Sequence, residues 1–520
     1  MNAPTIRSAE GSGSRITCVS WRRSETSSRG QADKERRRKA STESFRCFAG
    51  RERIVCENLV PSRCHRSSAI MRAAWSADGS PSVMSRDKTG GSPALFFLQW
   101  TGEILAFRLS GHRRGKCRSS PVQSFVICVS GQALLHSALD LSTPGFPTVA
   151  NILHASDISL ANLEATVAVE GAWPTKTRTL HLTGEDGIDS LRAMGFDVLT
   201  HANNHAFDLG PPGIAGTRTA VERAGLRLVG SGADQAQAAR AALIRAPAAT
   251  VAVLSVDLGP QPEIVYSSEE RAGINALRVR RTVVVPPSEH AILRAIVEAL
   301  GDDRREAARA AVGHRAGLSR DPAALEVFGT GVLAGAGFEN RFEPDREDLA
   351  RLQSALEEAG AEADLIVVAL HSHHWDSDWT QTPHWTTELA RRLIDCGADL
   401  IVGTGAPVLQ GMSFHRGKPI FAGLGNFIFH TGRGEIYDRE DVDVWTGVVC
   451  RCLFDASSRS CRSIEVLPVA VGRPSAEPDG PAPAPVPLRG EAARRAFHRL
   501  TAGLSERDRS RVVLLEPGAP

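Results

Sequence analysis

The residues best suited to chemistry lie between Gly195 and Gly213, in the sequence GFDVLTHANNHAFDLGPPG. A short apolar run, Phe196 to Leu199, predicts a buried strand. It is followed by a polar cluster made of His201, Asn203, Asn204, His205 and Asp208. Imidazole, amide and carboxylate groups can bind a metal ion, transfer a proton or hold a polar ligand. Because ligands of α/β sheets bind at the carboxyl ends of strands, this segment indicates a functional loop.

Similar polar residues follow several other predicted strands. These candidates are, in chain order, Gln132, His136, Asn162, Glu164, His371, His373, His374 and Asn426. A single histidine at a strand end is more often structural, but recurrence on successive strands favours a shared site. Carboxylate, amide and imidazole groups at one sheet edge suit a pair of divalent ions. Two such ions, about 4 Å apart, can hold a phosphate and activate a water molecule.

The elements that position these residues follow from hydrophobic periodicity. The run from Ser124 predicts a buried strand that ends in a turn at Gly131, and Asp364 to Leu370 predicts a fully buried strand. Helices are predicted at 184–194, 214–224, 290–300, 345–360, 385–396 and 491–504. Because strands and helices alternate along the chain, the sequence predicts an α/β fold.

Composition divides the 520 residues into three parts. Residues 1–121 are rich in Ser, Arg and Gly without sustained periodicity, which predicts a disordered leader or a mis-assigned start. A nucleic-acid-binding or targeting arm is the alternative interpretation of this segment. Residues 122–472 are predicted to form the folded domain, with an insertion or cap at about 268–345. Residues 473–520 are predicted to form a Pro-rich linker and a closing helix.

The overall composition argues against several classes of protein. The net charge is only +2, and no nucleic-acid partner is expected for the folded part. The longest apolar candidate, Ala94 to Phe107, contains Glu103 and is shorter than the roughly 18 residues of a membrane-spanning helix. The ten cysteines include no CxxC pair, which argues against a structural zinc site or disulfide framework. We therefore expect a cytoplasmic or membrane-associated protein without a convincing signal peptide or membrane-spanning helix.

Beyond these patterns, the chain resembles the CapA family of capsule and poly-γ-glutamate synthesis proteins over residues 125–470. The matching segments are NLE at 162–164, ANNHAFDLGPPG at 202–213, HHWD at 373–376, IDCGADLIVG at 394–403 and GKPIFAGLGNFIF at 417–429. RAGINALRV, at 271–279, resembles one branch of the family. The resemblance implies a calcineurin-like metallophosphoesterase fold, in which two packed sheets are flanked by helices (αββα). It also implies a role in making or exporting an anionic surface polymer, with the polymer synthesis or export machinery as the expected partner.

The resemblance also implies roles for individual residues. Glu164, Asn204 and His371 or His373 match metal ligands, while His205, with Asp208, is the candidate catalytic pair. The cofactor implied is one or two divalent ions of Mn, Mg, Fe or Zn. Candidates for substrate contact or support of the site are Gln132, His136, Asn162, His201, His374, Trp375 and Asn426.

Three positions depart from the family pattern. Gln132 stands where most members have an aspartate, and Thr404 and Pro407 stand where relatives have histidines. Neutral Thr is a poor ligand and Pro has no side-chain donor, so we expect one weakly held ion or none. The expected function is therefore a CapA-like protein with a degenerate metal site. An active two-metal phosphoesterase-type hydrolase and a non-catalytic binding or scaffold protein stay open as alternatives.

Overall fold

The structure is a computed structural model that describes residues 95–100, 103–108 and 124–516, apart from 178, 262, 315–320, 322 and 474–480. Within the predicted leader, Leu95–Trp100 and Glu103–Arg108 pair as an antiparallel hairpin. The disorder predicted for the rest of residues 1–121 lies outside the described residues. Everything below concerns the part from residue 124 onward.

Two sheets form the centre of the fold. The first sheet contains, in spatial order, Val486–Pro487, Ser460–Ala470, Thr446–Asp455, Ser124–Leu134, Ile158–Leu163, Val198–Thr200 and Arg227–Val229. Two further strands pair with it outside this order: Asn426–Phe429 pairs with Ser124–Leu134, and Val512–Leu514 pairs with Ser460–Ala470. The second sheet contains Ala242–Arg245, Thr250–Asp257, Leu365–His371, Leu400–Thr404, Lys418–Phe421 and Met412–His415. The strands that precede the predicted site residues are parallel within each sheet. Their carboxyl ends therefore lie at a common edge.

The two sheets pack face to face, and helices cover both outer faces. Ile127 and Leu160 of the first sheet share a core with Val253 and Val367 of the second. The outer face of the first sheet packs against buried residues of helices 146–154 and 185–194. The outer face of the second sheet packs against helices 346–362 and 384–395. This arrangement confirms the expected α/β fold of two sheets flanked by helices.

Most predicted helices are present, with shifted ends. The helices are Phe146–His154, Glu185–Met194, Gly210–Arg223, Gln235–Ala239, Pro287–Leu300, Asp302–Ala311, Arg346–Glu362, His384–Asp395, Gly434–Arg439, Gly490–Thr501 and Glu506–Arg509. The helix expected from residue 214 begins four residues earlier, because Pro211 and Pro212 occupy its first turn, where a missing N–H costs nothing. Asp345 caps the helix Arg346–Glu362, predicted at 345–360, by accepting from the N–H groups of Glu347 and Asp348.

The turn expected at Gly131 does not occur, because the strand Ser124–Leu134 continues through it, with a register shift against Ile158–Leu163 between Val129 and Gln132. A Cβ atom at residue 131 would lie 1.9 Å from the carbonyl oxygen of Gly425. Glycine is therefore needed here for close approach of two backbone segments, one of which leads into Asn426.

The segment predicted as an insertion contains a small sheet of its own. Its strands are Leu325–Val327, Thr330–Ala334, Val279–Val285 and Glu339–Pro344. Arg278 connects it to the helix 346–362 through two contacts of 2.7 Å, from Nε and a terminal guanidinium nitrogen to the two carboxylate oxygens of Asp348.

Further short strands complete the description. Ser231–Gly232 pairs with Gly273–Ile274, Thr166–Val167 with Leu182–Thr183, and Leu139–Asp140 with Ala482–Pro483. The described part of the predicted Pro-rich linker thus adds strands to the domain. Across the residues that the structure describes, no helix has the length and apolar character needed to cross a membrane.

Candidate functional site

The candidate site lies where strand ends of the two sheets meet. The first sheet supplies Gln132 and leads into Glu164 and Asn204, and the second sheet supplies His371 at the end of its strand. Gln132, Glu164 and Asn204 line a cavity of about 300 Å³, and His371 contacts Asn204 and His373 beside it. The cavity is also lined by Lys176, Thr179, His181, His205, Gln261, Glu263, His373, Trp375, Gly405, Pro407, Phe429, Thr431, Arg433 and Tyr437.

Four lone-pair donors converge on one point beside this cavity. Oδ1 of Asn204 lies 2.9 Å from Nε2 of His371, which lies 3.1 Å from Nε2 of His373. Oε1 of Glu164 lies 3.9 Å from both imidazole nitrogens. A single N–H on His371 Nε2 cannot point at both of its close neighbours, so hydrogen bonds alone leave one of these contacts unsatisfied.

The distances between these donors fit one divalent cation. Nitrogen and oxygen ligands lie about 2.1 Å from such an ion, so two ligands at right angles are about 3 Å apart. The contacts of 2.9 and 3.1 Å made by His371 match that separation, while Oε1 of Glu164, 3.9 Å from both imidazole nitrogens, would bind at a wider angle. Glu164, His371 and His373 each place one possible ligand atom within 4.8 Å of the other two. The residues present therefore fit a single ion.

Burial sets the protonation of these ligands. It lowers the pKa of His371 well below the ordinary value and that of His373 to about 3, so both rings are neutral and keep a lone pair available. Burial also raises the pKa of Glu164 to about 8, although hydrogen bonding from Gln132 and the charge of Lys176 oppose the shift. A cation at this point would favour the carboxylate and displace its proton.

The amide of Gln132, the position at which the resemblance implies an aspartate, is fixed by two hydrogen bonds. Its Nε2 donates to Oε2 of Glu164 at 2.5 Å, and its Oε1 accepts from the backbone N–H of Gly405 at 2.7 Å. The amide thus points an N–H, not a lone pair, toward Glu164. Thr404 Oγ1 lies 3.1 Å from Nδ1 of His371 and orients that ring, while Pro407 lines the cavity without a side-chain donor.

His205 and Asp208 form a buried pair at the cavity wall. Nδ1 of His205 lies 2.9 Å from Oδ2 of Asp208, and Nζ of Lys176 lies 2.7 Å from Oδ1 of the same carboxylate. Burial and the Lys176 charge lower the pKa of His205 well below its usual value. Burial raises the pKa of Asp208, opposed by Lys176. The ring is held neutral, with Nδ1 facing the carboxylate.

The other predicted residues lie around the site rather than among the converging donors. His201 is fully buried between Ser231 and the carbonyl of Ala165. Asn426 donates to the carbonyls of Pro407 and Val444 and so supports the cavity wall.

Two predicted residues have further supporting contacts. Asn162 accepts from the side-chain amide of Asn203, beside the polar loop. Nε2 of His374 lies 3.0 Å from the carbonyl of Leu258, and its ring contacts Phe342 and Trp385. Neither side chain is among those that line the cavity.

Two predicted residues extend the site outward. Trp375 stacks on His373 with ring centroids 4.9 Å apart and lines the cavity. Nε2 of His136 lies 2.8 Å from Nδ1 of His181, and its backbone N–H donates to His430. His136 therefore belongs to a second group of imidazoles, whose member His181 contacts His205 at a centroid distance of 4.1 Å.

Several residues of the site were not anticipated from the sequence. These are Lys176, His181, Gln261, His430 and Arg433. His430 immediately follows the strand Asn426–Phe429, so the strand-end rule that selected Asn426 could have found it. Lys176 and Gln261 lie in loops with no regular periodicity, and only the folded chain brings them to the cavity.

The geometry defines a two-sheet α/β protein with a cation-type donor cluster where the sheet edges meet. Residues 126–431 match the family described as bacterial capsule synthesis protein PGA_cap, and the chain belongs to that family.

The chain is also similar to individual proteins. The chain is 28% identical to an uncharacterized protein, y4uA, of Sinorhizobium fredii over 345 residues, covering 63% of this chain and 72% of the relative. It is 27% identical to a probable polyglutamine synthesis accessory protein of Mycobacterium tuberculosis, covering 61% and 67%. It is 26% identical to the PGA biosynthesis protein CapA of Bacillus subtilis, covering 55% and 57%. A phosphatase structure from Mycoplasma pneumoniae aligns with a TM-score of 0.34 and 10% identity, covering 67% and 94%.

Proposed function

We propose that this protein acts in the biosynthesis or export of a poly-γ-glutamate-type surface polymer and that its cavity binds one divalent cation. The convergence of Asn204, His371, His373 and Glu164, in a chain of the capsule synthesis family, carries the proposal. Gln132 supports a single ion, because its N–H already binds the second oxygen of Glu164.

Arg433 supports an anionic ligand at the cavity wall. It lines the cavity together with Lys176 and Glu263, but Lys176 is already paired with Asp208 at 2.7 Å. A hydrogen bond of 2.6 Å to Thr179 Oγ1 holds Arg433 toward the facing loop. Arg is well suited to carboxylates because its planar guanidinium group can donate two parallel hydrogen bonds. A polymer whose repeating unit carries a carboxylate fits this wall.

Titration of poly-γ-glutamate into the full-length protein, with and without Mn²⁺, tests this proposal. We expect tighter binding with Mn²⁺ and at least a tenfold loss in Arg433→Met. Arg439→Met is the matched control, because Arg439 lies on the adjacent short helix and does not line the cavity. Equal binding by both variants, or no binding by the wild type, would refute the polymer assignment.

Hydrolysis is the second candidate function, and the pair His205–Asp208 favours it. A bound divalent ion would polarise a carbonyl or phosphoryl oxygen and make a bound water more acidic. His205 is neutral and lines the same cavity, so its ring can accept a proton while Asp208 holds Nδ1.

A chromogenic phosphodiester distinguishes this hydrolase from a non-catalytic binding protein. The hydrolase predicts Mn²⁺-dependent cleavage that falls at least 100-fold in His205→Ala, a loss typical of removing an acid–base group. His154→Ala is the control, because His154 ends a surface helix away from the cavity. Cleavage that is absent or unchanged in His205→Ala would exclude this mechanism.

A further inference from the structure

Gln261 contacts the outer side of the His373 ring. Its Nε2 hydrogen-bonds Nδ1 of His373, the nitrogen opposite the one that faces Glu164 and His371. An amide N–H can only donate, so in this arrangement Nδ1 accepts and the ring proton lies on Nε2. A proton on Nε2 occupies the lone pair that a cation would need.

The other end of the same amide has no partner. Among the described residues, Oε1 of Gln261 is buried without a hydrogen bond. A buried acceptor that is left unpaired destabilises the arrangement that contains it. Rotating the amide by half a turn would place Oε1 on Nδ1 of His373, which then has to carry the proton, and would leave the Nε2 lone pair free.

The loop that carries Gln261 is tied to the strand ends of the second sheet. The backbone N–H of His373 donates to the carbonyl of Gly259 at 2.9 Å, and the N–H of Gly259 donates to Oδ1 of Asp257 at 2.7 Å. Asp257 pairs in register with His371. These hydrogen bonds hold the backbone beside His373, so that a change of partner at Nδ1 requires only the Gln261 side chain to rotate.

His371 has a partner with the same versatility, and the structural His201 does not. Nδ1 of His371 faces the hydroxyl of Thr404, which can donate or accept by rotating. Nε2 of His201 instead faces the carbonyl of Ala165, which can only accept and fixes the tautomer. The two rings whose Nε2 atoms lie 3.1 Å apart thus each have a hydrogen-bond partner at Nδ1 that can either donate or accept.

We propose that Gln261 is a positioning residue that controls the tautomer of His373: its Nε2 faces Nδ1 in the ion-free chain, and its Oε1 faces Nδ1 when a divalent cation is bound. The proposal deepens the one-cation site proposed above and rests on it. Gln261 itself does not contact the ion.

Calorimetric Zn²⁺ binding to the full-length protein tests the energetic part. Loss of a hydrogen-bonding partner behind a ligating histidine typically weakens metal binding 10–100-fold. We expect such a loss in Gln261→Met and no loss in the control Gln353→Met, whose glutamine contacts Cys396 outside the cavity. Thermal unfolding of the ion-free variants establishes that both are folded.

Nitrogen NMR of the labelled histidines tests the tautomer directly. We expect His373 to change from the Nε2–H to the Nδ1–H form when Zn²⁺ is added to the wild type. Gln261→Glu, which can only accept from Nδ1 when ionised, should show the Nδ1–H form before Zn²⁺ is added.

Unchanged affinity in Gln261→Met, or an Nε2–H form in ion-free Gln261→Glu, would overturn the role of Gln261 and leave the one-cation site standing. A wild type that binds no Zn²⁺ would overturn both.

Discussion

Glu164 shows how one buried side chain makes stability depend on pH. The residue is 2% exposed, and burial raises its pKa from 4.5 to about 8. The folded ion-free chain therefore holds a proton that the unfolded chain releases above about pH 4.5. The contribution of Glu164 to the free energy of unfolding is therefore complete below about pH 4.5 and is lost as the pH rises through about 8.

Replacing Glu164 by glutamine should remove this pH dependence. In the presence of a chelator, we expect the stability of the wild type relative to Glu164→Gln to fall steadily between pH 5 and pH 8. Urea unfolding at each pH measures the difference, with surface Glu170→Gln as the control. A difference that stays constant, or that rises with pH, would show that Glu164 is ionised in the ion-free chain.

At the scale of elements, the site depends on the close approach of two backbone segments. Gly131 and Gly425 meet where the strand Ser124–Leu134 passes the segment leading into Asn426. The N–H of Gln132 donates to the carbonyl of Gly425 at 3.0 Å in the same place. Separating these segments would displace both Gln132 and Asn426, and with them one side of the cavity.

Gly131→Ala should therefore lower both stability and ion affinity. The new methyl group would meet the Gly425 carbonyl, and overpacking of this kind costs about 1–3 kcal/mol of unfolding free energy. Gly503→Ala is the control, because a Cβ there meets no heavy atom within 4 Å. Urea unfolding and Zn²⁺ titration of both variants measure the two effects. Equal stability of the two variants would contradict the close-contact explanation.

At the scale of the whole molecule, the sequence predicts the layers better than the site. The alternation of buried strands and amphipathic helices was enough to predict the α/β fold. Strand-end positions were enough to name Glu164, Asn204 and His371 as candidate site residues. Periodicity, however, is a local property, and it predicted a turn at Gly131. The glycine is needed there because its backbone contacts Gly425, which lies 294 positions further along the chain.

The arrangement of the site needed the fold itself. Its donors come from both sheets, and no sequence spacing shows that Asn204 would lie 2.9 Å from His371. Lys176 and Gln261 reach the cavity from irregular loops, which carry no periodic signal. The departures at Gln132, Thr404 and Pro407 were visible in the sequence, but only the structure shows an N–H of Gln132 directed at Glu164.

The number of divalent ions bound per chain tests the central claim most directly. The full-length protein would be saturated with Mn²⁺ or Zn²⁺, freed of excess ion by gel filtration and analysed by mass spectrometry of the metal. The geometry predicts one ion per wild-type chain and its loss in His371→Ala. Two ions per chain would contradict the role assigned to Gln132, and none would contradict the convergence of ligands on a cation.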